Sequence, residues 1–278
     1  MTISEWIKQS SEQLRGASIS SARLDAELLL SHVLHQSRAW LIAHQNDNID
    51  DAKMLENATK LLAKRLQRVP IAYLTNHKEF YNRSFYVDES VLIPRPESEM
   101  IIEVLKTLVK PTVHKRLLDI GTGSGALGIT AKLEMPELSV TISDISAAAL
   151  QVARKNAHAL GAKPIRYVQS DLLSHWLSHD NPQKFDVIIA NLPYVNPVWE
   201  QSPETVHEPS LALYAEDNGM KLIKICVQKA SSITSVSGYL LLEADPEQHK
   251  DIVTTASASG FQLLRIDDYI VTLQKNNN

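Results

Sequence analysis

Between residues 116 and 274, short β-branched apolar runs alternate with amphipathic helical patterns, and no other feature constrains the fold as strongly. The runs at 117–120, 140–144, 165–169, 185–190, 239–243, 261–266 and 269–274 predict seven strands. Continuous stretches such as Val187-Ile188-Ile189 suit strands buried on both faces, as in a parallel sheet. Helical patterns follow at 126–134, 147–160, 220–233 and 246–258, with Ser146 placed to cap the second. This alternation predicts an α/β fold, a doubly wound and mostly parallel seven-stranded sheet with right-handed crossovers. Asp267-Asp268 leaves room only for a tight turn, so the last strand runs antiparallel.

The chain before this region has a different period. Residues 1–76 read as a small all-helical bundle. Its second helix would be capped by Ser21, with Leu24, Leu28, Leu29, Val33 and Leu34 on its apolar face. Asp50 or Asp51 would cap a third helix, which Pro70 closes. A packing domain and a surface for a protein partner fit this bundle equally well. Residues 77–93 predict a linking β-hairpin around Asn82-Arg83-Ser84, and residues 94–278 form the α/β domain.

Composition narrows the function classes. Net charge is −4, from 28 basic and 32 acidic residues, which gives no sign of a dedicated nucleic-acid binder. The one cysteine, Cys226, excludes an intramolecular disulfide and fits a reducing compartment. The chain shows no apolar run of about 18 residues and no signal-peptide pattern, so the expected location is the cytoplasm. His175 and His179 lie at helical i, i+4 spacing without a third ligand nearby, so no metal is expected.

The first strand runs into Asp119-Ile120-Gly121-Thr122-Gly123-Ser124-Gly125. Glycines there allow a sharp turn and close approach of backbone to a ligand. Gly123, Gly125 and Gly128 also satisfy the dinucleotide spacing, which alone is weak. Asp119 argues against a pyrophosphate, which it would repel, and for a cationic amino group. S-adenosylmethionine (SAM) carries an ammonium and a sulfonium and no phosphate. Asp144, ending the second strand, can accept both hydroxyls of a ribose, which suits NAD and SAM alike. Asp171 and Leu172 follow the third strand, where an adenine ring is expected; an ordinary loop acid and core leucine fit there as well.

The fourth strand ends in Asn191-Leu192-Pro193-Tyr194, since Pro193 cannot donate to a ladder. Methyl transfer to a planar nitrogen is hard because its lone pair is delocalised. A site for it must accept both N–H hydrogens and hold the nitrogen in line with the methyl. The Asn191 side-chain oxygen and the Leu192 carbonyl are suitable acceptors. Pro193 keeps Leu192 extended, and Tyr194 can stack on the planar group.

Together these motifs resemble the class I SAM-dependent methyltransferases, and more narrowly the HemK/PrmC family of peptide chain release factor glutamine methyltransferases. The resemblance spans essentially the whole chain, and Leu92-Ile93-Pro94-Arg95-Pro96-Glu97-Ser98-Glu99 is its most specific part. It implies a Rossmann-like methyltransferase domain using SAM, with S-adenosylhomocysteine as product. The methylated group would be the glutamine amide of a release factor's Gly-Gly-Gln loop, a modification that modulates translation termination. Asp119, Gly121, Thr122, Gly123, Ser124, Gly125, Asp144, Asp171, Leu172 and Asn191 would bind SAM. Asn191, Leu192, Pro193 and Tyr194 would form the catalytic motif. The helical domain would grip the release factor, with no direct nucleic-acid or membrane contact, and the chain would act as a monomer. The alternatives are an adenine-N6 methyltransferase on DNA or RNA, a ribosomal-protein glutamine methyltransferase, and a non-catalytic SAM-binding protein. One departure stands out: the family motif is Asn-Pro-Pro-Tyr, and Leu192 replaces its first proline.

Overall fold

The computed structural model describes residues 1–110 and 114–277, in two compact units. Met1–His77 and Ser202–His207 form one, Lys78–Gln201 and Glu208–Asn278 the other. Of the predicted α/β region, residues 111–113 and Asn278 lie outside the described residues.

The first unit contains helices Ile3–Gly16, Ala22–Leu34, Arg38–Ala43, Ala52–Leu66 and Ile71–Thr75. Thr2 and Glu5 form a reciprocal capping box on the first helix, and Asp51 accepts from Lys53 N and Met54 N on the fourth. Ser21 departs from expectation: it occupies the cap position but makes no side-chain capping bond. Leu24 is 42% exposed, so the apolar face of that helix is carried by Ala26, Leu29, Leu30 and Val33 instead. Pro70 does not end the bundle; its fixed φ starts the short helix Ile71–Thr75.

Inside this unit Arg65 donates to Asp25 at 2.7 Å, with both side chains buried, and it also meets Glu204 at 3.0 Å. Removing one partner of such a pair strands the other charge away from water. Arg65→Ala is therefore expected to destabilise the helical unit by about 3–5 kcal/mol, read as a lower urea midpoint.

The second unit opens with a hairpin, β1 (Lys78–Phe80) and β2 (Arg83–Phe85). Its turn is Tyr81-Asn82, at φ 51° and 57°, not the predicted Asn82-Arg83-Ser84. A two-residue turn with positive φ at both positions matches the right-handed twist of the strands, which a composition-based reading of turn residues does not register. Phe80 and Phe85 are fully buried, and Glu99 accepts from Tyr81 N at 2.8 Å, so the hairpin is part of this unit's core.

The sheet comprises β3 (Arg116–Ile120), β4 (Ser139–Asp144), β5 (Ile165–Gln169), β6 (Phe185–Ala190), β7 (Thr234–Glu243), β8 (Phe261–Asp267) and β9 (Ile270–Lys275). Their order is β5-β4-β3-β6-β7-β9-β8, with β9 antiparallel to both neighbours and the first five mutually parallel, as the sequence predicts. Side chains alternate between faces. Leu117, Val187, Ile189 and Leu241 join one apolar cluster, and Leu118, Ile188, Leu240 and Leu242 join the other. Helices Glu99–Leu108, Ala126–Glu134 and Ala147–Ala159 pack in the first cluster, Lys221–Ala230 and His249–Ala258 in the second. β7 begins five residues before the predicted start. Ser235, Ser237 and Gly238 carry no apolar signal, and only the pairing of Thr234 with Phe185 recruits them.

Two registers position everything that follows. Ile120 pairs with Ala190 across β3 and β6, where the strand order reverses, so the Gly-rich turn and the Asn191 motif leave adjacent strand ends. Ala190 pairs with Leu242 across β6 and β7, so the next residues, Asn191 and Glu243, stand side by side. Among the described residues no helix is long and apolar enough to cross a membrane.

Candidate active site

A cavity of about 330 Å³ opens at this reversal point. Its walls are mainly apolar, with Ile120, Leu127, Ile145 and Leu172 prominent, and a few polar groups converge on it. That is the composition expected of a site for a partly aromatic small molecule. Of the sequence-predicted residues, Gly121, Thr122, Gly123, Ser124, Asp144, Asp171, Leu172, Asn191, Leu192 and Pro193 line it.

Asp119, Gly125 and Tyr194 are not in the lining. Asp119 lies beneath the loop, 1% exposed, where Oδ2 accepts from Thr122 Oγ1 at 2.6 Å and from Gly128 N at 2.9 Å. Its other oxygen, Oδ1, is buried without a partner. Burial pushes this carboxyl up to about 7, against the lowering effect of Thr122 and Gly128, and the negative Asp144 adds to the rise. Its contribution to ligand-free stability is thus full below the ordinary carboxylate range and lost as pH rises through about 7. Gly128 permits this arrangement, because a Cβ there would stand 2.4 Å from Ile142 and 2.9 Å from the Asp119 carboxylate. Gly125, at φ 84°, turns the chain into helix Ala126–Glu134, and a Cβ would strike Ile129 at 2.5 Å.

Asp144 accepts from Gly123 N and from Ser146 N, each at 2.9 Å, which fixes its carboxylate at the cavity wall. Burial raises its pKa, and the backbone donors oppose the rise. Each oxygen keeps a lone pair for a ligand hydroxyl. Asp171 is exposed, and half-buried Leu172 sits at φ 46° with its carbonyl bonded to Ser170 Oγ.

Asn191 donates from Nδ2 to Ser98 Oγ at 3.0 Å. Among the described residues no donor reaches its Oδ1 or the Leu192 carbonyl. The Leu192 side chain is 4% exposed and packs over the Gly121 turn, 3.2 Å from where a Cβ would stand. Tyr194 packs its ring on the apolar cluster of β6 and β7, and its hydroxyl donates to Glu243 at 3.2 Å. Burial and Glu243 hold that phenol well above its ordinary pKa, so it remains an O–H donor. The Tyr194 carbonyl accepts from Gln248 at 2.9 Å, and Gly219 leaves no room for a side chain against it.

Sequence reasoning missed several residues of this site. Glu208, 8% exposed, accepts from Arg95 at 2.6 Å and from Ile93 N at 3.2 Å. Asn156 accepts from Tyr86 N and donates to Tyr86 O and Ser124 O, tying the Gly-rich loop to the segment after the hairpin. Ser98 and Glu243 bond to each other at 2.5 Å across 145 positions of sequence. Of these, only Ile93, Arg95 and Ser98 fall in the segment 92–99 that the family resemblance singles out, and the sequence alone assigns them no role there.

Residues 5–75 match the PrmC N-terminal domain, and residues 96–208 match the methyltransferase small domain. A release factor glutamine methyltransferase of Coxiella burnetii is 35% identical, over 94% of this chain and 92% of that protein. The chain belongs to the release factor glutamine methyltransferase family. A bifunctional methyltransferase of Rickettsia typhi is 32% identical over 99% of this chain, and the chain spans 56% of that longer protein. In the first relatives matched, all Rickettsia bifunctional methyltransferases, the chain thus spans about half the length. Among solved structures, a T. thermophilus 16S rRNA methyltransferase shares the fold at TM-score 0.53, with 18% identity, covering 72% of this chain and 49% of that one.

The donor set suits SAM on this structure's own terms. The loop is turned by glycines without phosphate-binding cations, the carboxylate beneath it keeps an orphaned oxygen, and a second carboxylate faces an apolar slot.

Proposed function

We propose that this chain transfers the methyl group of SAM to the side-chain amide nitrogen of a release-factor glutamine, that of the Gly-Gly-Gln loop. Two unpaired acceptors, Asn191 Oδ1 and Leu192 O, on the wall of a cavity shared with the Gly-rich loop, carry this reading. They match the two N–H hydrogens of a primary amide. SAM supplies an electrophilic methyl on a cationic sulfonium. Asp119, buried beneath the loop, faces the ligand's ammonium from below; the cation favours its ionised form and is favoured by it in turn, and the backbone of Gly121 to Gly125 shapes the berth. Asp144 accepts the ribose hydroxyls, while Leu172 and Asp171 border the adenine. Asn191 and Leu192 accept both amide hydrogens and so turn the nitrogen lone pair toward the methyl. Pro193 restrains Leu192, and Tyr194 is held in place by Glu243 and Gln248. The new N–CH3 bond forms as the S–CH3 bond breaks, and the acidic N-methylated amide then loses its proton to water without a dedicated base. The helical unit grips the release factor.

The test is incubation with methyl-labelled SAM and a purified release factor. Label is expected in the factor carrying Gln and absent from a Gln→Glu variant. Label in DNA or RNA instead, or tight SAM binding without transfer, overturns the reading.

Leu192 enters as a carbonyl rather than a side chain. Leu192→Pro is therefore expected to change kcat by less than about tenfold, since the acceptor oxygen survives. A steady-state comparison with the same release factor measures this; a gain of orders of magnitude contradicts the assigned role.

A further inference from the structure

An amide side chain has two nearly isosteric ends, and only one of them accepts. The proposed reaction works only if Asn191 shows oxygen to the substrate, so something must stop the group turning over. Resting on that reaction, we infer that Ser98 and Glu243 are positioning residues that fix which end of the Asn191 amide faces the substrate.

The chain of bonds admits one polarity. Glu243 is 1% exposed, and its carboxylate has no basic partner among the ion pairs of the described residues. Burial raises the pKa of this acid, and the hydrogen bonds from Ser98, Tyr194 and Asn191 oppose the rise; in the ionised form that they favour, the carboxylate only accepts. Ser98 Oγ, 2.5 Å from Oε2, must therefore give it its single hydrogen. Ser98 is left with lone pairs alone for Asn191, 3.0 Å away, so Asn191 must present Nδ2 to it. Oδ1 then faces the opposite way, where no donor among the described residues meets it. The second carboxylate oxygen takes the Tyr194 hydroxyl at 3.2 Å, so one buried acid orients two residues of the motif.

The elements explain why these groups meet. The β6–β7 register sets Glu243 beside Asn191. The Pro96–Ser98 turn, with proline at its first position, brings buried Ser98 over both. A site needing only filled space would be served by neutral residues, because an unpaired buried carboxylate is costly. Holding the hydroxyls of Ser98 and Tyr194, the acid imposes direction. Turned over, Asn191 would aim two N–H groups at the two N–H groups of the substrate.

Ser98→Ala, Ser98→Thr and Glu243→Gln test this, with kcat, KM for the release factor and SAM affinity measured for each in the full chain. Ser98→Ala and Glu243→Gln are expected to lose about 10²-fold in kcat, as misplacement at a reacting centre does, with SAM affinity unchanged. Ser98→Thr keeps the hydroxyl and is expected to retain most of the rate. Should Glu243→Gln fail to fold, the alanine and threonine pair at Ser98 still decides. Wild-type kcat in Ser98→Ala, a threonine variant as slow as the alanine one, or a loss of SAM affinity matching the loss of kcat overturns the positioning role. Wild-type protein that transfers nothing to a release factor defeats the underlying function as well, so the two failures are told apart.

Discussion

Asn191→Ala is expected to lower kcat by about 10³-fold or more while leaving SAM affinity within about twofold of wild type, as removal of a preorganised transition-state acceptor does. The side chain forms part of the cavity wall, and its Nδ2 donates to Ser98. Its free Oδ1 is the group whose value rises as the amide nitrogen gains positive charge and its hydrogens become better donors. The Leu192 carbonyl alone cannot stop the nitrogen from rotating its lone pair back into conjugation. Single-turnover kinetics separate the effect on chemistry from that on binding. An equal loss of rate and SAM affinity would remove Asn191 from the amide side of the site.

Asp144→Ala is expected to act on the opposite side. Each charge-assisted bond to a ligand hydroxyl contributes about 1.5–3 kcal/mol, so losing the pair should weaken SAM binding by about 10²-fold or more. The loss is compounded within the protein, since Gly123 N and Ser146 N would both lose their acceptor. At saturating SAM, kcat should recover to near the wild-type value, because the role proposed for Asp144 is to hold the ribose and not the reacting nitrogen. Calorimetric titration gives the affinity directly. Unchanged affinity would mean that the ribose lies elsewhere.

How far the chain could be read in advance depended on the range of the interaction. Parallel strands buried on both faces leave continuous apolar runs, so β3 to β6 were legible to within a residue. Pro193 stops β6 by its own chemistry, and the glycines at 121, 123 and 125 announce positive φ, realised at 67°, 54° and 84°. Ser98 and Glu243 were beyond reach because their meeting depends on which strand lies next to β6, a property of sheet order. The Asp25–Arg65 bond, across 40 positions, was hidden because it depends on how two helices pack against each other. Local readings also failed where neighbouring backbone decided the outcome. Ser21 has a capping residue's chemistry without its dihedrals, and the early start of β7 at Thr234 rests on its pairing with Phe185.

The resemblance noted from the motifs and the similarity to the Coxiella protein agree on family. The departure from the Asn-Pro-Pro-Tyr motif is Leu192, whose side chain packs over Gly121. Its carbonyl stays free for the role that the Asn-Pro-Pro-Tyr motif would give it.

The most direct measurement locates the transferred methyl. A release factor treated with this protein and labelled SAM, then digested and fragmented by mass spectrometry, should carry one methyl on the side-chain nitrogen of the Gly-Gly-Gln glutamine and none elsewhere. A methyl on another residue of the factor, or a factor left unmodified while an adenine amino group in nucleic acid is methylated, would contradict the account.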